Sequence, residues 1–307
     1  METKIKVIGV GGSGSNTVSR MMKHKMKGVE LIAINTDAQD LKKVKAHQKI
    51  RIGKNLTRGL GSGMNPEIGR MAAEEQKEEI EKSIMGADMV FITCGLGGGT
   101  GSGASPVIAE IAKGAGILTL AIVTMPFSFE GFQRKEIAEK SAKKLKEKVD
   151  TLIAISNDKL LTTLEPNTTV NNAFIACDEI LRQAVQGISD LIVLPGIINI
   201  SFADVKTIMK DSGSALFGIG VAKGEGRAKE AARKALNSPL LDISCKGAKG
   251  VLFNVSGGKD ISLSEIDEVA KIITHEVSPE AKIIFGAIKD EKLKQGEIKV
   301  TVIATGF

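Results

Sequence analysis

The chain has 307 residues, of which 42% are hydrophobic, so it is long enough for two domains with sizeable cores. Its formal net charge is +6, but the basic residues are mostly lysines interleaved with acids and there is no Trp or Tyr, which argues against nucleic acid as a partner. No apolar run is long enough for direct membrane insertion, and three scattered cysteines predict a reducing, cytoplasmic setting.

A glycine-rich stretch follows the first predicted strand. Gly9, Gly11 and Gly14 satisfy the pattern G-x-G-x-x-G, with a helix predicted from near Thr17. An acid, Asp37, follows the second predicted strand about 20 residues further on. This is the dinucleotide-binding fingerprint, so an NAD-dependent oxidoreductase is one possible function.

The most informative stretch is the heptamer from Gly97 to Gly103, in which five of the seven residues are glycine. It follows a predicted strand over 88–94 and precedes a helix predicted over 104–115. Glycine lets the backbone approach a ligand closely, and the start of a helix attracts anions. The heptamer therefore predicts a phosphate-binding loop, to which Thr100 adds a hydroxyl donor. Neither stretch is a Walker A loop, and the pair indicates a nucleoside triphosphate held from two sides.

Strands and helices alternate through the first half, which predicts a doubly wound, mainly parallel, Rossmann-like α/β sheet. The predicted strands cover residues 4–10, 29–35, 88–94, 117–124 and 151–156, with one helix over 67–86 among the connections. A long amphipathic helix follows, and a second, smaller α/β region lies beyond it. We therefore expect a nucleotide-binding domain over 1–170, a central connecting helix over 171–194 and a C-terminal domain over 195–307.

The glycine stretches and several shorter segments resemble the FtsZ family, the bacterial cell-division GTPases of the tubulin superfamily. The heptamer matches the tubulin signature, and the resemblance extends over essentially the whole chain. The further matching segments are residues 35–39, 56–61, 65–67, 126–131, 157–161, 185–188 and 202–205. The resemblance implies a GTPase with GTP or GDP and Mg²⁺ as cofactors, located in the cytoplasm at the division site. Its C-terminal domain would be an activation domain that carries the catalytic loop.

The resemblance also implies which residues bind the nucleotide. The loop positions are Gly11, Gly12, Ser13, Gly14, Ser15, Asn16, Gly61, Gly97, Gly98, Gly99, Thr100, Gly101, Ser102 and Gly103. Asn16 would contact the base or ribose, although helix capping explains an Asn there equally well. Glu130 and Arg134 would reach the ribose, although their spacing also predicts a surface ion pair. Asn157 and Asp178 would read guanine, and Phe174 would stack on the base or belong to the core.

No residue near these loops is an evident general base. The resemblance implies that Asn199 and Asp204 enter the site of a neighbouring copy and orient the attacking water, so that hydrolysis accompanies head-to-tail assembly into a filament. Asp204 has the alternative role of an acid that stabilises a helix N-terminus. The implied partners are other copies of the chain and division proteins at the membrane, reached by a route that the sequence does not identify.

Two features depart from the family pattern. Ser201 stands where the family most often has aspartate, which leaves the hydrolysis rate and cation dependence open. A GTP-binding filament former with little hydrolysis is therefore a second alternative to the oxidoreductase. The sequence ends at Phe307 without the usual linker and tail, so we expect either a shortened chain or another route to the membrane. The three histidines, His24, His47 and His275, match no catalytic pattern.

Overall fold

The computed structural model divides into two compact units, Met1–Gln186 and Gly187–Phe307. The structure describes residues 3–24, 26, 28–162, 164–165, 167–238, 245–290 and 293–307. The dividing point falls within a long helix, Val170–Val193, which the sequence predicts as the connecting helix. The predicted domain limits themselves remain a prediction. Within the described residues, no helix combines the length and the apolar character needed to cross a membrane.

The N-terminal unit is built on a six-stranded parallel sheet. Its strands are β1 (Ile5–Val10), β2 (Val29–Asn35), β3 (Gln48–Arg51), β4 (Met89–Gly95), β5 (Leu118–Met125) and β6 (Thr151–Ser156). They lie in the order β3-β2-β1-β4-β5-β6, with Ile5 of β1 aligned with Val29 on one side and Met89 on the other. Strand order therefore reverses between β1 and β4, where ligands bind in open α/β sheets.

Eight helices lie among the described residues between Gly11 and Val193, in the connections between the strands and after β6. They are α1 (Gly11–Lys23), α2 (Ala38–Lys43), α3 (Pro66–Glu75), α4 (Lys77–Ile84), α5 (Gly99–Gly114), α6 (Phe132–Lys148), α7 (Asn157–Leu161) and α8 (Val170–Val193), with a short 3₁₀ turn at Ser128–Glu130. Buried aliphatic residues of the strands and of α3, α4, α5 and α6 form one core cluster. Burial on both faces explains why the strands other than β3 are largely apolar runs.

The helix predicted over 67–86 is two helices, α3 and α4, separated at Gln76. Side chains at the break bind the backbone of the preceding loop. Glu75 accepts a hydrogen bond from the Asn55 N–H at 2.9 Å, and the Gln76 amide oxygen accepts from the Gly53 N–H. The strand β3 was also missed, because it is four residues long, has a single apolar side chain, Ile50, and lies at a sheet edge.

The C-terminal unit is a smaller mixed sheet with helices. Its elements are α9 (Phe202–Met209), β7 (Gly213–Lys223), α10 (Arg227–Leu236), β8 (Gly250–Gly257), α11 (Leu263–His275), β9 (Lys282–Lys289) and β10 (Glu297–Thr305). Strand β10 pairs antiparallel with β7 and β8, and β9 pairs parallel with β8. Helix α10 packs closely on β7, since a Cβ at Gly220 would lie 2.1 Å from the Ala231 carbonyl oxygen. The fold class is thus the two-part α/β architecture that the sequence predicts.

Candidate functional site

A polar cavity of about 250 Å³ lies at the carboxyl ends of β1, β4 and β5, beside the reversal of strand order. It is lined by residues of the N-terminal unit. Those that the sequence predicts are Gly11, Gly12, Ser13, Gly98, Gly99, Thr100, Gly101, Glu130, Arg134, Asn157, Phe174 and Asp178. Both glycine stretches therefore meet at one cavity, together with the charged and aromatic side chains predicted to contact the ribose and base.

The first turns of α1 and α5 face this cavity. Each helix begins one residue after a cap residue, Val10 or Gly98, that makes no side-chain hydrogen bond to the first turn. The N–H groups of a first turn have no partner within the helix, and the helix dipole gives them a partial positive charge. An anion between the two helix starts would supply the missing acceptors. This arrangement fits the phosphates of a nucleotide.

The predicted starts of these two helices are wrong. Helix α1 begins at Gly11 rather than near Thr17, so Asn16 lies inside the helix and is not its N-cap. Helix α5 begins at Gly99 rather than at residue 104. Glycine has a low helix propensity, but here close packing overrides it. A Cβ at Gly14 would lie 2.3 Å from the Thr93 carbonyl oxygen, and one at Gly103 would lie 1.9 Å from that of Pro66.

The glycines of the heptamer consequently have two different environments. A Cβ at Gly98 would meet no atom within 4 Å, so this position opens onto space. A Cβ at Gly99 would lie 2.4 Å from the Ser62 hydroxyl, and one at Gly101 would lie 2.9 Å from a carbonyl oxygen. Gly97 has a φ of +100°, which disfavours any other residue. Only Gly98 has the free space that the phosphate-loop interpretation expected of the whole heptamer.

A chain of hydroxyl groups joins α5 to two neighbouring segments. The Thr100 hydroxyl contacts that of Thr36 at 2.7 Å and that of Ser62 at 2.9 Å. The Ser102 hydroxyl accepts a hydrogen bond from the Gly97 N–H at 2.9 Å, which fixes the loop before the helix. The Thr100 hydroxyl is thus already bonded within the protein, and it holds Ser62 in the cavity wall.

The residues predicted to read the base lie at the α7 and α8 side of the cavity wall. Asn157, the first residue of α7, is 5% exposed, and its Oδ1 atom has no hydrogen-bond partner in the structure. Buried polar atoms are normally bonded, so an unpartnered acceptor in a cavity wall fits a ligand that donates to it. Phe174 is partly exposed and makes an edge-on contact with Phe127, with ring centroids 5.4 Å apart.

The Asp178 carboxylate is held from both sides. It accepts from the Thr17 hydroxyl and from Arg20 Nε, each at 2.9 Å. Burial raises the pKa of this carboxyl group, while the hydrogen bonds from Thr17 and Arg20 oppose the rise. The group combines a buried negative charge with a position in the cavity wall, which is typical of a recognition site.

Glu130 and Arg134 form the ion pair that their spacing predicts, and both also line the cavity. The Glu130 carboxylate accepts in addition from the Phe127 N–H at 2.9 Å. Both carboxylates of the cavity wall are therefore paired with arginines, because Asp178 is paired with Arg20. This pairing disfavours either one as a general base.

Some predicted contacts lie beside the cavity rather than in its wall. These are Gly14, Ser15, Asn16, Gly61, Gly97, Ser102 and Gly103. Their contact with a nucleotide remains a prediction. The wall also contains residues that the sequence reasoning missed, namely Val10, Ser62, Gly95, Leu96, Thr124, Pro126 and Cys177. Gly95 and Thr124 had a usable signal, because they stand near the carboxyl ends of β4 and β5.

Asn199 and Asp204 belong to the C-terminal unit. Asp204 and Ser201 form a capping box at the start of α9, in which Asp204 Oδ2 accepts from the Ser201 N–H at 2.9 Å. These hydrogen bonds from Ser201 lower the pKa of the Asp204 carboxyl. Asn199 is exposed, and its Oδ1 accepts from the Gly196 N–H at 2.7 Å. Helix stabilisation, the alternative role for Asp204, is therefore present; the catalytic role stays a prediction.

A metal ion and a dinucleotide are two other ligands to consider against the side chains present. Among the described residues, no group of three or more His, Cys, Asp or Glu side chains could hold a metal ion. The Asp37 carboxylate, which would bind the ribose of a dinucleotide, instead caps α2 by accepting from the N–H groups of Gln39 and Asp40, each at 2.9 Å. This engagement weakens the oxidoreductase interpretation.

Comparisons with known proteins agree with the fold. Residues 4–165 match the GTPase domain of the tubulin/FtsZ family, and residues 213–307 match the C-terminal domain of the FtsZ family. The structure is similar to an FtsZ dimer from M. jannaschii, with 49% identity, a TM-score of 0.95 and coverage of 100% of this chain and 89% of that one. It shares its fold with a GTPγS-bound CetZ2 protofilament from Haloferax volcanii, at 21% identity, a TM-score of 0.84 and coverage of 98% and 92%.

Proposed function

The chain belongs to the tubulin/FtsZ family, and from that premise we propose that it binds GTP, polymerises head to tail and hydrolyses GTP at the contact between subunits. The observation that carries the proposal is that two uncapped helix starts line one cavity together with Asn157, Phe174 and Asp178. The first turns of α1 and α5 would bind the phosphates. Asn157 and Asp178 would read guanine, with Phe174 against its face.

Guanine matches the polar groups better than adenine does. The Asp178 carboxylate can accept from the ring N–H and the 2-amino group of guanine, a pair that adenine lacks. The Asn157 Oδ1 atom is a further buried acceptor without a donor. The resemblance implies that Asn157 reads guanine. Turning its amide about the last torsion would exchange the acceptor for an N–H donor to the guanine carbonyl.

The nucleotide's divalent ion would depend little on protein carboxylates. Since Glu130 and Asp178 are paired with arginines, Mg²⁺ would be held mainly by the phosphates and water, as in other nucleotide sites. The ion would neutralise phosphate charge during transfer. Ser13 lies in the cavity wall, and its hydroxyl would provide an oxygen ligand from the chain itself.

The same inventory supports hydrolysis by a shared site. The two carboxylates of the cavity wall are engaged by arginines, which favours a water-orienting group from elsewhere. We propose Asp204, with Asn199, acting on the nucleotide of the next copy. The M. jannaschii relative is an FtsZ dimer, which supports self-association of this chain. A heterologous contact that does not close into a ring produces a filament.

The cellular role that we propose is the cytokinetic ring at the division site, attached to the membrane through other division proteins. The 49% identical structure is archaeal, so the proposal is not restricted to bacteria. A GTP-binding filament former with little hydrolysis is the second candidate. The observation that favours it is the capping box, because Ser201 already occupies the Asp204 carboxylate.

Two measurements test the proposal. Equilibrium binding of GTP and NAD should show binding of GTP alone. Phosphate release per protein molecule, measured from dilute to concentrated protein, should rise above a threshold concentration because each site needs a neighbour. A turnover number that stays constant down to dilute monomer contradicts the shared site, and GTP binding with assembly but negligible release supports the second candidate.

A further inference from the structure

The cavity wall contains a carboxylate whose two oxygens are each bonded to a different side chain of one helix. Asp178 Oδ1 accepts from the Thr17 hydroxyl, and Asp178 Oδ2 accepts from Arg20 Nε, both at 2.9 Å. Thr17 and Arg20 are three residues apart on α1, so they lie on the same face of that helix. Thr17 is fully buried, and Arg20 is partly exposed.

We propose that Thr17 and Arg20 are positioning residues that orient the Asp178 carboxylate toward the base and thereby set the selectivity for guanine. The inference rests on the proposed function, since it names the groups that tune base recognition at that site. Thr17 and Arg20 contact Asp178 and are not themselves among the residues of the cavity wall.

We call the two hydrogen bonds from Thr17 and Arg20 to Asp178 the clamp. The physical need for it comes from the aspartate side chain. Its last torsion is broad, so a free carboxylate samples many orientations. Guanine offers two parallel N–H donors, and both bond only when the two oxygens lie in the plane of the base. Each carboxylate oxygen has two lone pairs, so one bond to α1 leaves one lone pair for the base. Fixing the carboxylate before the ligand arrives reduces the ordering cost of binding.

The clamp also keeps the charge that the base needs. Burial raises the pKa of the Asp178 carboxyl, and the partners that oppose the rise are Thr17 and Arg20. Arg134, which lines the cavity, is paired with Glu130. The Cys177 thiol, also in the wall, has its pKa raised to about 12 by burial and by neighbouring carboxylates, so it stays neutral at ordinary pH. Arg20 is therefore the cation that holds Asp178 as an acceptor.

Helix α1 thus contributes to both ends of the site. Its first turn, Gly11 to Ser13, faces the cavity where the phosphates would bind. Thr17 follows Gly11 by about 9 Å along the helix axis, at 1.5 Å per residue. One rigid element would therefore align the phosphates with the base-reading carboxylate. If the bonds between α1 and α8 were only structural, their loss would lower stability and would weaken the binding of all nucleotides equally, without changing base selectivity.

The experiment compares GTP with inosine triphosphate, which lacks the 2-amino group and so offers the carboxylate one donor instead of two. The variants are Thr17→Val, which keeps the shape but removes the hydroxyl, Arg20→Gln and Arg20→Lys. Arg182→Gln is the matched control, because Arg182 is an arginine on α8 that binds Glu179 and Gln186 and not Asp178. Affinities for both nucleotides are measured by equilibrium binding, and folding is checked by thermal unfolding.

The native protein should prefer GTP, and Thr17→Val and Arg20→Gln should each reduce the ratio of GTP to inosine triphosphate affinity by about tenfold, as expected for a hydrogen bond to a charged group. Arg20→Lys should keep part of the ratio, since it retains the charge without the planar fork. Arg182→Gln should leave it unchanged. If Thr17→Val and Arg20→Gln both fold and both keep the native ratio of GTP to inosine triphosphate affinity, this inference is overturned and the proposed function is not. A native protein that binds neither nucleotide would overturn the proposed function as well.

Discussion

Helices α5 and α9 both begin at segments that the sequence marks as functional, but their first turns are built in opposite ways. Helix α5 starts after Gly98 with no capping side chain, and its first turn faces the cavity. Helix α9 starts with a capping box in which Ser201 and Asp204 satisfy each other. The first turn of α5 therefore leaves its donors without a capping side chain, whereas that of α9 is capped from within the chain. This difference fits the roles that we propose, in which the start of α5 binds phosphates and the start of α9 acts on the nucleotide of the next copy.

The largest expected effect comes from a substitution at Gly103, which lies within α5 a little beyond its first turn. A Cβ there would lie 1.9 Å from the Pro66 carbonyl oxygen, and backbone cannot move aside easily. Gly103→Ala should therefore lower the free energy of unfolding by about 3 kcal/mol or more, as severe overpacking does. Chemical denaturation measures this, with Gly114→Ala at the other end of α5 as the control, since a Cβ at Gly114 meets nothing within 4 Å. Equal stability of the two variants would contradict the packing role.

Gly98 should behave differently from Gly103, although both belong to the heptamer. Its Cβ would point into open space and its φ is −90°, so Gly98→Val should fold normally. The added side chain would occupy the space beside the phosphates, so we expect GTP affinity to fall about 100-fold or more, equivalent to roughly two lost charge-assisted hydrogen bonds. Isothermal titration with GTP checks the affinity. A stable variant with native affinity would show that α5 does not bind the phosphates.

At the start of α9, Asp204→Ala separates the capping role from the catalytic one. Loss of the cap should cost about 1 kcal/mol of stability. GTP affinity should stay close to native, while phosphate release in assembled protein should fall by about 100-fold, because the water-orienting group is lost. Filaments should persist longer in GTP. If instead GTP affinity falls in parallel with hydrolysis, Asp204 serves its own subunit's site or the fold.

The same contrast appears in the two acids. Burial raises the pKa of Asp178, whereas hydrogen bonds from Ser201 lower that of Asp204. Base reading requires ionised Asp178, so GTP affinity should decline on acidification at a pH where the cap of α9 is still charged. Protonation of a group whose pKa is raised by folding does not destabilise the fold, so the fold should persist through this decline.

The pH series is measured by GTP binding alongside Asp178→Asn. The phosphates of GTP titrate in both proteins, so only the difference between the two curves reports on Asp178. A native protein whose pH profile parallels that of Asp178→Asn would show that the carboxylate does not titrate with binding.

Much of the sheet was predictable from the sequence, because buried parallel strands are unbroken apolar runs. The strands over 29–35 and 151–156 were predicted with the bounds that the structure has. The helix starts were not, since glycine's low propensity hid the close approach of α5 to Pro66. Ser62 was missed for a related reason. It reaches the cavity through its contact with Thr100, and contacts between distant segments leave no local pattern.

The subtlest expected effect concerns Ser201, where the resemblance leads us to expect aspartate. Ser201 caps α9, and Asp is a comparably good cap, so Ser201→Asp should change stability by only a few tenths of a kcal/mol. The substitution replaces a donor to Asp204 with a second carboxylate. Two carboxylates side by side attract a cation, whereas a serine hydroxyl attracts one weakly. We therefore expect slow hydrolysis in the native chain, and faster turnover with a steeper dependence on Mg²⁺ or K⁺ in Ser201→Asp.

Ser201→Ala supplies the comparison that isolates the charge. It removes the donor to Asp204 without adding a carboxylate, and it should weaken the cap by about 1 kcal/mol. If the departure from the family slows hydrolysis through a weak cation site, Ser201→Asp alone gains turnover and cation dependence. If Ser201 acts only through the cap, the curves of GTP turnover against cation concentration for Ser201→Asp and the native protein superimpose. In that case the start of α9 is closed in both proteins, and the hydrolysis rate depends on Asp204 alone.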